Sequence, residues 1–236
     1  MRVFVFNKRG KPLMLCSQRK ARILLKEEKT VIYKYNPFTI QLKNKKRFIL
    51  FSRNGNRRNV KLEVNFMKKI LVIIDMQNDF ITGPLGNDDC RNIVSDILAK
   101  IAGLDNETDI AATLDTHQEN YLETQEGINL PVKHCIEHTE GWKLIPELQD
   151  VKFIRTFTKN TFGSVELADW IKENNYTDVE LIGVCTGICV ISNAITIKTV
   201  NPEIKITVDS RCCACVTPES HKNALEAMKM CQINVI

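Results

Sequence analysis

The chain has 236 residues, 44% of them hydrophobic, enough for one α/β domain with a full core plus a small appendage. No uninterrupted apolar stretch approaches the ~20 residues of a membrane-spanning helix, and "MRVFVFNKRGKPLM" lacks the apolar segment and cleavage site of a secretory signal; a cytoplasmic protein with no membrane partner is expected. The net charge of +5 conceals two unlike halves, because residues 1–66 hold 18 Lys plus Arg against 3 acidic residues (+15) and the remainder 15 against 25 (−10).

In chain order, residues 1–66 read as a small basic β-rich module. Tyr33, Tyr35 and Phe38 are interleaved with its surplus of Lys and Arg, a composition that suits contact with a nucleic-acid backbone through phosphate neutralisation. "FSRNGNRRNVKLEVNF" reads as a Gly/Asn turn joining two short strands, and the domain boundary is placed near Phe66. Met67 then opens "MKKILVIIDMQNDF", a natural start for a second, self-sufficient domain spanning residues 67–236.

That domain alternates strand and helix. Short apolar runs predict strands at 69–75, 109–115, 151–157, 179–184 and 204–209, with "INVI" as a last strand. Apolar residues at three-to-four spacing predict helices in "CRNIVSDILAKIAGL", "SVELADWIKENN", "ICVISNAITIKTV" and "PESHKNALEAMKMC"; the second opens with Ser and the last follows Thr217 with Pro-Glu. The fold expected is a three-layer α/β domain, a parallel sheet with helices on both faces. Ligands in such sheets gather at the carboxyl ends of the strands.

Asp75 ends the first strand, Asp115 and His117 the second, Lys159 follows the third, and Cys189 follows the fourth in the expected first turn of a helix. Unpaired N–H groups at a helix N-terminus and a nearby lysine would favour the thiolate of Cys189. An aspartate in reach could take the thiol proton and return it to a leaving amine. Taken singly, each has a plainer reading: a buried small hydrophobe for Cys189, a turn cap for Asp75, a solvated loop lysine for Lys159. Asp115, His117 and His134 with open positions suit a divalent ion, zinc first and iron or manganese as alternatives. The nine cysteines lack finger spacing, so reduced thiols and no structural zinc cluster are expected. His138 and His221 are read as surface or structural residues, and Trp142 as core or pocket wall.

"ILVIIDMQNDF", "LDTHQENYLETQEGINLPVKHCIEHTEGW", "TKNTFGS", "GVCTGICV" and "TPESHKNAL" resemble, in collinear order, the successive motifs of the isochorismatase-like cysteine hydrolases, nicotinamidase branch. The resemblance implies a catalytic triad of Asp75, Lys159 and Cys189. It also implies an oxyanion hole from the backbone N–H groups of Cys185 and Cys189, and a cis peptide at Val184–Cys185. A metal held by Asp115, His117 and His134, completed by Glu126, would take the pyridine nitrogen of the substrate. The reaction implied is hydrolysis of nicotinamide to nicotinate and ammonia through a thioester, in NAD salvage. Hydrolysis of another small amide is the near alternative, and a nucleic-acid-binding protein carrying an inactive hydrolase domain the distant one. Relatives commonly self-associate, so a homo-oligomer is a further expectation. Gly187, Arg211 and Cys215 depart from the family pattern, and a Cys215 with positive φ would be strained. Residues 3–43 resemble the N-terminal module of RNA-guided HNH nucleases, with Pro12-Leu13-Met14 followed by Leu15. Two readings stand for that segment: an RNA-binding module, or a mis-joined reading frame upstream of Met67, the second preferred.

Overall fold

The computed structural model describes residues 68–236 throughout and, within residues 1–67, six strands and the exposed helical positions Arg19 and Lys26. The chain divides into two compact units, Met1–Met67 and Lys68–Ile236. In the first, β1 (Arg2–Phe6), β2 (Pro12–Ser17), β3 (Thr30–Lys34) and β4 (Thr39–Leu42) form a sheet of order β2-β1-β4-β3, parallel only between β1 and β4. β5 (Leu50–Phe51) and β6 (Arg57–Arg58) pair antiparallel. Tyr35, Phe38 and the turn residues 52–56 lie outside the described residues.

The second unit is a six-stranded parallel sheet. Its strands are β7 (Lys69–Ile74), β8 (Thr108–Asp115), β9 (Arg155–Lys159), β10 (Asp178–Val184), β11 (Lys205–Ala214) and β12 (Asn234–Val235), in the order β12-β11-β10-β7-β8-β9. Continuous apolar runs make buried parallel strands because both faces are covered. Ile70, Val72 and Ile74 enter one core with α5 (Val165–Glu173), α6 (Ile191–Val200) and α7 (Pro218–Met230). Leu71 and Ile73 enter the other with α1 (Asn78–Ile81), α2 (Asp88–Asn92) and α3 (Val94–Ala102). The strand order reverses between β7 and β10, the switch point at which α/β sheets open a ligand crevice. Among the described residues no helix is long and apolar enough to cross a membrane.

Three elements differ from expectation. β9 lies at 155–159 rather than 151–157, because Val151 and Phe153 pack as loop residues on the second core while the edge strand itself reads Arg-Thr-Phe-Thr-Lys. The helix expected over 90–104 is broken into α2 and α3, the first capped by Asn87, whose side chain accepts the Cys90 N–H at 2.8 Å. β11 runs on to Ala214 through a bulge: it advances from Val208 to Cys213 while β10 advances only from Leu181 to Gly183. That bulge buries Asp209 against Lys100 (2.8 Å) and Arg211 (3.1 Å), which gives the departure at Arg211 a partner. Cys215 is not among the residues with positive φ, so the strain foreseen there is absent; His138 is, at φ 69°.

Helix α7 opens with a capping box, Thr217 accepting the Ser220 N–H at 3.1 Å and Ser220 the Thr217 N–H at 3.0 Å. Thr217→Ala removes the first of these, and urea unfolding is expected to show a loss of about 1 kcal/mol.

Candidate active site

Asp75, at the end of β7, has φ 50°, an uncommon conformation for a residue with a side chain. The Thr113 hydroxyl of β8 donates to Asp75 Oδ1 at 2.6 Å, and Lys159 Nζ from β9 lies 2.6 Å from Oδ2. That ion pair aside, Oδ2 has no hydrogen bond of regular geometry, which leaves it open to a proton donor. Lys159 Nζ also reaches Asp115 Oδ1 at 3.3 Å and Cys189 Sγ at 3.6 Å. Four strand ends thus bring Asp75, Asp115, Lys159 and Cys189 together at the switch point, all four buried.

Cys189 sits in a π turn, Thr186–Val190, between β10 and α6, rather than in the first turn of an α-helix. The Val190 N–H donates to the Cys185 carbonyl at 3.1 Å, five residues back, and the Ile188 N–H to the same oxygen at 3.0 Å. The Val184–Cys185 peptide that leads into the turn is cis. Just before it, Gly183 has φ 117°, and a Cβ there would lie 2.1 Å from the Ile74 carbonyl; only glycine lets β10 approach β7 this closely.

Burial raises the Cys189 thiol well above its ordinary pKa, and the Asp75 charge adds to this while Lys159 opposes it. The direction is opposite to the thiolate expected from the sequence: desolvation and two carboxylates outweigh one ammonium at 3.6 Å. Burial also raises Asp75 above the usual carboxylate range, against the pull of Lys159. A protonated thiol therefore faces a carboxylate made more basic than usual.

Asp115, His117, Glu126 of α4 (Gln125–Asn129) and His134 offer ligand atoms that all lie within 4.8 Å of one another. His117 Nε2 is 2.9 Å and His134 Nε2 3.4 Å from Asp115 Oδ2, and Glu126 Oε1 is 3.7 and 3.8 Å from the same two nitrogens. His134 Nδ1 donates to the Val132 carbonyl at 2.8 Å, which turns Nε2 inward in the manner of a metal-ligating histidine. Burial opposes a charged His134, yet Asp115 and the Val132 carbonyl prevail and raise its pKa, so the cluster draws positive charge. Two imidazoles and two carboxylates fit a borderline divalent cation.

Of the residues proposed from the sequence, the structure brings Asp75, Lys159 and Cys189 together, groups Asp115, His117, Glu126 and His134 beside them, and puts Cys185 at the start of the turn that carries Cys189. The sequence reading passed over Gln77 and Thr113 and left His221 as a surface or structural residue. Gln77 donates to the Asp115 carbonyl at 2.8 Å and accepts the Asp115 N–H at 2.7 Å, clamping the strand end that carries the metal-type ligands; its place two residues after Asp75 was the available signal. Thr186 Oγ1 donates to the Ala214 carbonyl at 2.9 Å, so His221 Nδ1, 2.8 Å away, must be the donor to that hydroxyl. His221 thereby ties the nucleophile turn to α7. Trp142 packs against the second core and donates to Thr116 Oγ1 at 2.9 Å, and His138 is exposed.

Residues 69–236 match the family model described as the isochorismatase domain, and residues 3–62 match a second model, that of the RRXRR protein. Nicotinamidase of Saccharomyces cerevisiae is 24% identical over 220 residues, spanning 71% of this chain and 99% of its own length. The crystal structure of nicotinamidase from Bacillus subtilis superposes with a TM-score of 0.61 at 26% identity, over 72% of this chain and 99% of that one. Pyrazinamidase of Pyrococcus horikoshii, solved in complex with zinc, gives a TM-score of 0.61 at 25% identity, over 72% of this chain and 98% of that one. The chain therefore belongs, through residues 69–236, to the isochorismatase family.

Proposed function

We propose that the second unit is a metal-dependent cysteine amidohydrolase that converts nicotinamide and water to nicotinate and ammonia. The observation that carries this reading is the convergence of Cys189 Sγ, Lys159 Nζ and the Asp75 carboxylate, with Lys159 reaching both Asp75 (2.6 Å) and Asp115 of the neighbouring ligand cluster (3.3 Å). The likeness to nicotinamidases covered to 99% of their own length supports the substrate class.

In this reading Asp75 Oδ2 takes the thiol proton as Cys189 Sγ attacks the carboxamide carbon, and the Lys159 ammonium balances the negative charge as it moves from carboxylate to sulfur. Main-chain N–H groups of Cys185 and Cys189 receive the oxyanion, a contribution worth ~3 to 4 kcal/mol per donor. Asp75 then passes its proton to the departing ammonia and activates the water that cleaves the thioester. Asp115, His117, His134 and Glu126 would hold a divalent ion, zinc by preference, which when bound supplies a Lewis-acid contact for the ring nitrogen of the substrate. A chelator is expected to abolish nicotinamide turnover and lower the melting temperature, and added zinc to restore both. Full turnover by a protein shown by elemental analysis to hold no metal would remove nicotinamide from first place.

His221 enters as a positioning residue. Losing its bond to Thr186 in His221→Ala should lower kcat between roughly ten- and a hundredfold with KM little changed, since misplacing a reacting group by about 1 Å can cost that much. His221→Asn, whose amide can donate in the same place, should recover part of the loss in steady-state assays.

A second reading is confined to residues 1–66, where the surplus of 15 positive charges supports contact with nucleic-acid phosphates. Salt-sensitive RNA binding that disappears on deletion of those residues is its test.

A further inference from the structure

Two of the departures from the family pattern meet in space. Cys215 Sγ accepts the Gly187 N–H at 3.4 Å, and a Cβ at position 187 would sit 3.3 Å from that sulfur. Val184 of β10 lies beside Ala214 of β11, so Cys185 and Cys215 are the next residues on two parallel strands as both leave the sheet. Neighbours in such a register are about 5 Å apart. A disulfide spans Cα separations of about 4.4 to 6.8 Å. The Cys185 thiol also interacts with those of Cys215 and, from α2, Cys90, which raise its pKa. Every described cysteine is a free thiol.

We propose that Cys185 and Cys215 form an oxidation site for hydrogen peroxide, closing to a disulfide that distorts the nucleophile turn. Cys215 is the sulfur prepared to react. Its Sγ accepts the Gly187 N–H just ahead of α7, and the neighbouring Cys185 thiol, the leading cause, brings its pKa down to about 5 against the opposing effect of burial. Peroxide, scarcely larger than water, reaches it past the partly exposed Cys185. The Cys215 thiolate attacks one peroxide oxygen, the O–O bond breaks, and hydroxide leaves to take a proton, giving a sulfenic acid. Cys185 sulfur then attacks Cys215 sulfur, the S–O bond breaks and water departs. Two thiols and one hydrogen peroxide become one disulfide and two waters. Drawing the sulfurs to about 2.05 Å moves Cys185. Its carbonyl anchors the N–H groups of Ile188 and Val190 on either side of Cys189, so the turn moves with it. The loss of hydrolysis rests on the amidohydrolase reading; formation of the bond does not.

The full-length protein is exposed to hydrogen peroxide, digested without reductant and analysed by mass spectrometry, with nicotinamide turnover followed in parallel. The expected result is a Cys185–Cys215 cross-linked peptide lacking two hydrogens, and a fall in turnover of roughly a hundredfold, the worth of one oxyanion donor, that a dithiol reverses. Cys215→Ser, which keeps an acceptor for the Gly187 N–H, should form no such peptide and hold its activity through the same exposure. Cys185 joined instead to Cys90 or Cys189, or Cys215→Ser inactivated as fast as the native chain, would overturn the proposal. If the cross-link forms in a protein that hydrolyses no nicotinamide before treatment, the oxidation site stands and the substrate reading falls.

Discussion

Cys189→Ala is expected to release no ammonia from nicotinamide above background, a drop of roughly a million-fold in kcat, as when a covalent nucleophile is removed from other hydrolases. Nothing else among the described residues can take over the attack at that point. The Cys185 thiol is held far above its ordinary pKa, chiefly by its interaction with Cys215. Cys215 Sγ is engaged by the Gly187 N–H, and the contacts of Lys159 run to Asp75, Asp115 and Cys189. The fold should survive, because one sulfur is lost from a residue already 6% exposed and Lys159 keeps its ion pairs with Asp75 and Asp115. Circular dichroism and the unfolding midpoint, with a change of less than about 1 kcal/mol, separate this outcome from misfolding.

Lys159→Met should cost both activity and stability. The ammonium is the counter-charge to two carboxylates, Asp75 Oδ2 at 2.6 Å and Asp115 Oδ1 at 3.3 Å, all in a buried site. Removing one partner of a buried pair leaves charge uncompensated and costs about 3 to 5 kcal/mol. The chemical loss follows from the same change. Burial, then the Asp115 charge, push the Asp75 pKa up, and Lys159 is the largest force holding it down. Without Lys159 the carboxyl is protonated more of the time and no longer accepts from sulfur. Asp75→Asn isolates the chemical part: it removes the base while relieving part of the charge imbalance, so its turnover should vanish with a smaller fall in stability. Urea unfolding and ammonia release on the two variants check both halves.

The parts of the molecule legible in the sequence were those set by local pattern. Buried central strands such as β7 and β10 announce themselves as unbroken apolar runs, and Asp75, Asp115 and Cys189 could be placed at strand ends because the sheet rule needs only order and spacing. β9 was misplaced because an edge strand carries polar residues and the apolar residues before it belong to a loop. Cys189 was expected in an α-helix because Ile188 to Val200 is apolar enough for either form, and the bond from Val190 to Cys185 that makes a π turn leaves no compositional trace. The direction of the Cys189 pKa was missed for a related reason. Sequence shows a lysine and a helix start, but not the depth of burial or a second carboxylate. Long-range ties such as Gln77 to Asp115 and His221 to Thr186 span 38 and 35 residues and become visible only once the strands are assembled.

A covalent thioester on Cys189 separates this mechanism from direct attack by water, and hydroxylamine competes for such an intermediate. With nicotinamide and rising hydroxylamine, the native protein should form the hydroxamate at the expense of nicotinate while ammonia release continues. Nicotinate as the sole acyl product at every hydroxylamine concentration, with ammonia still released, would mean that water attacks the amide without the sulfur.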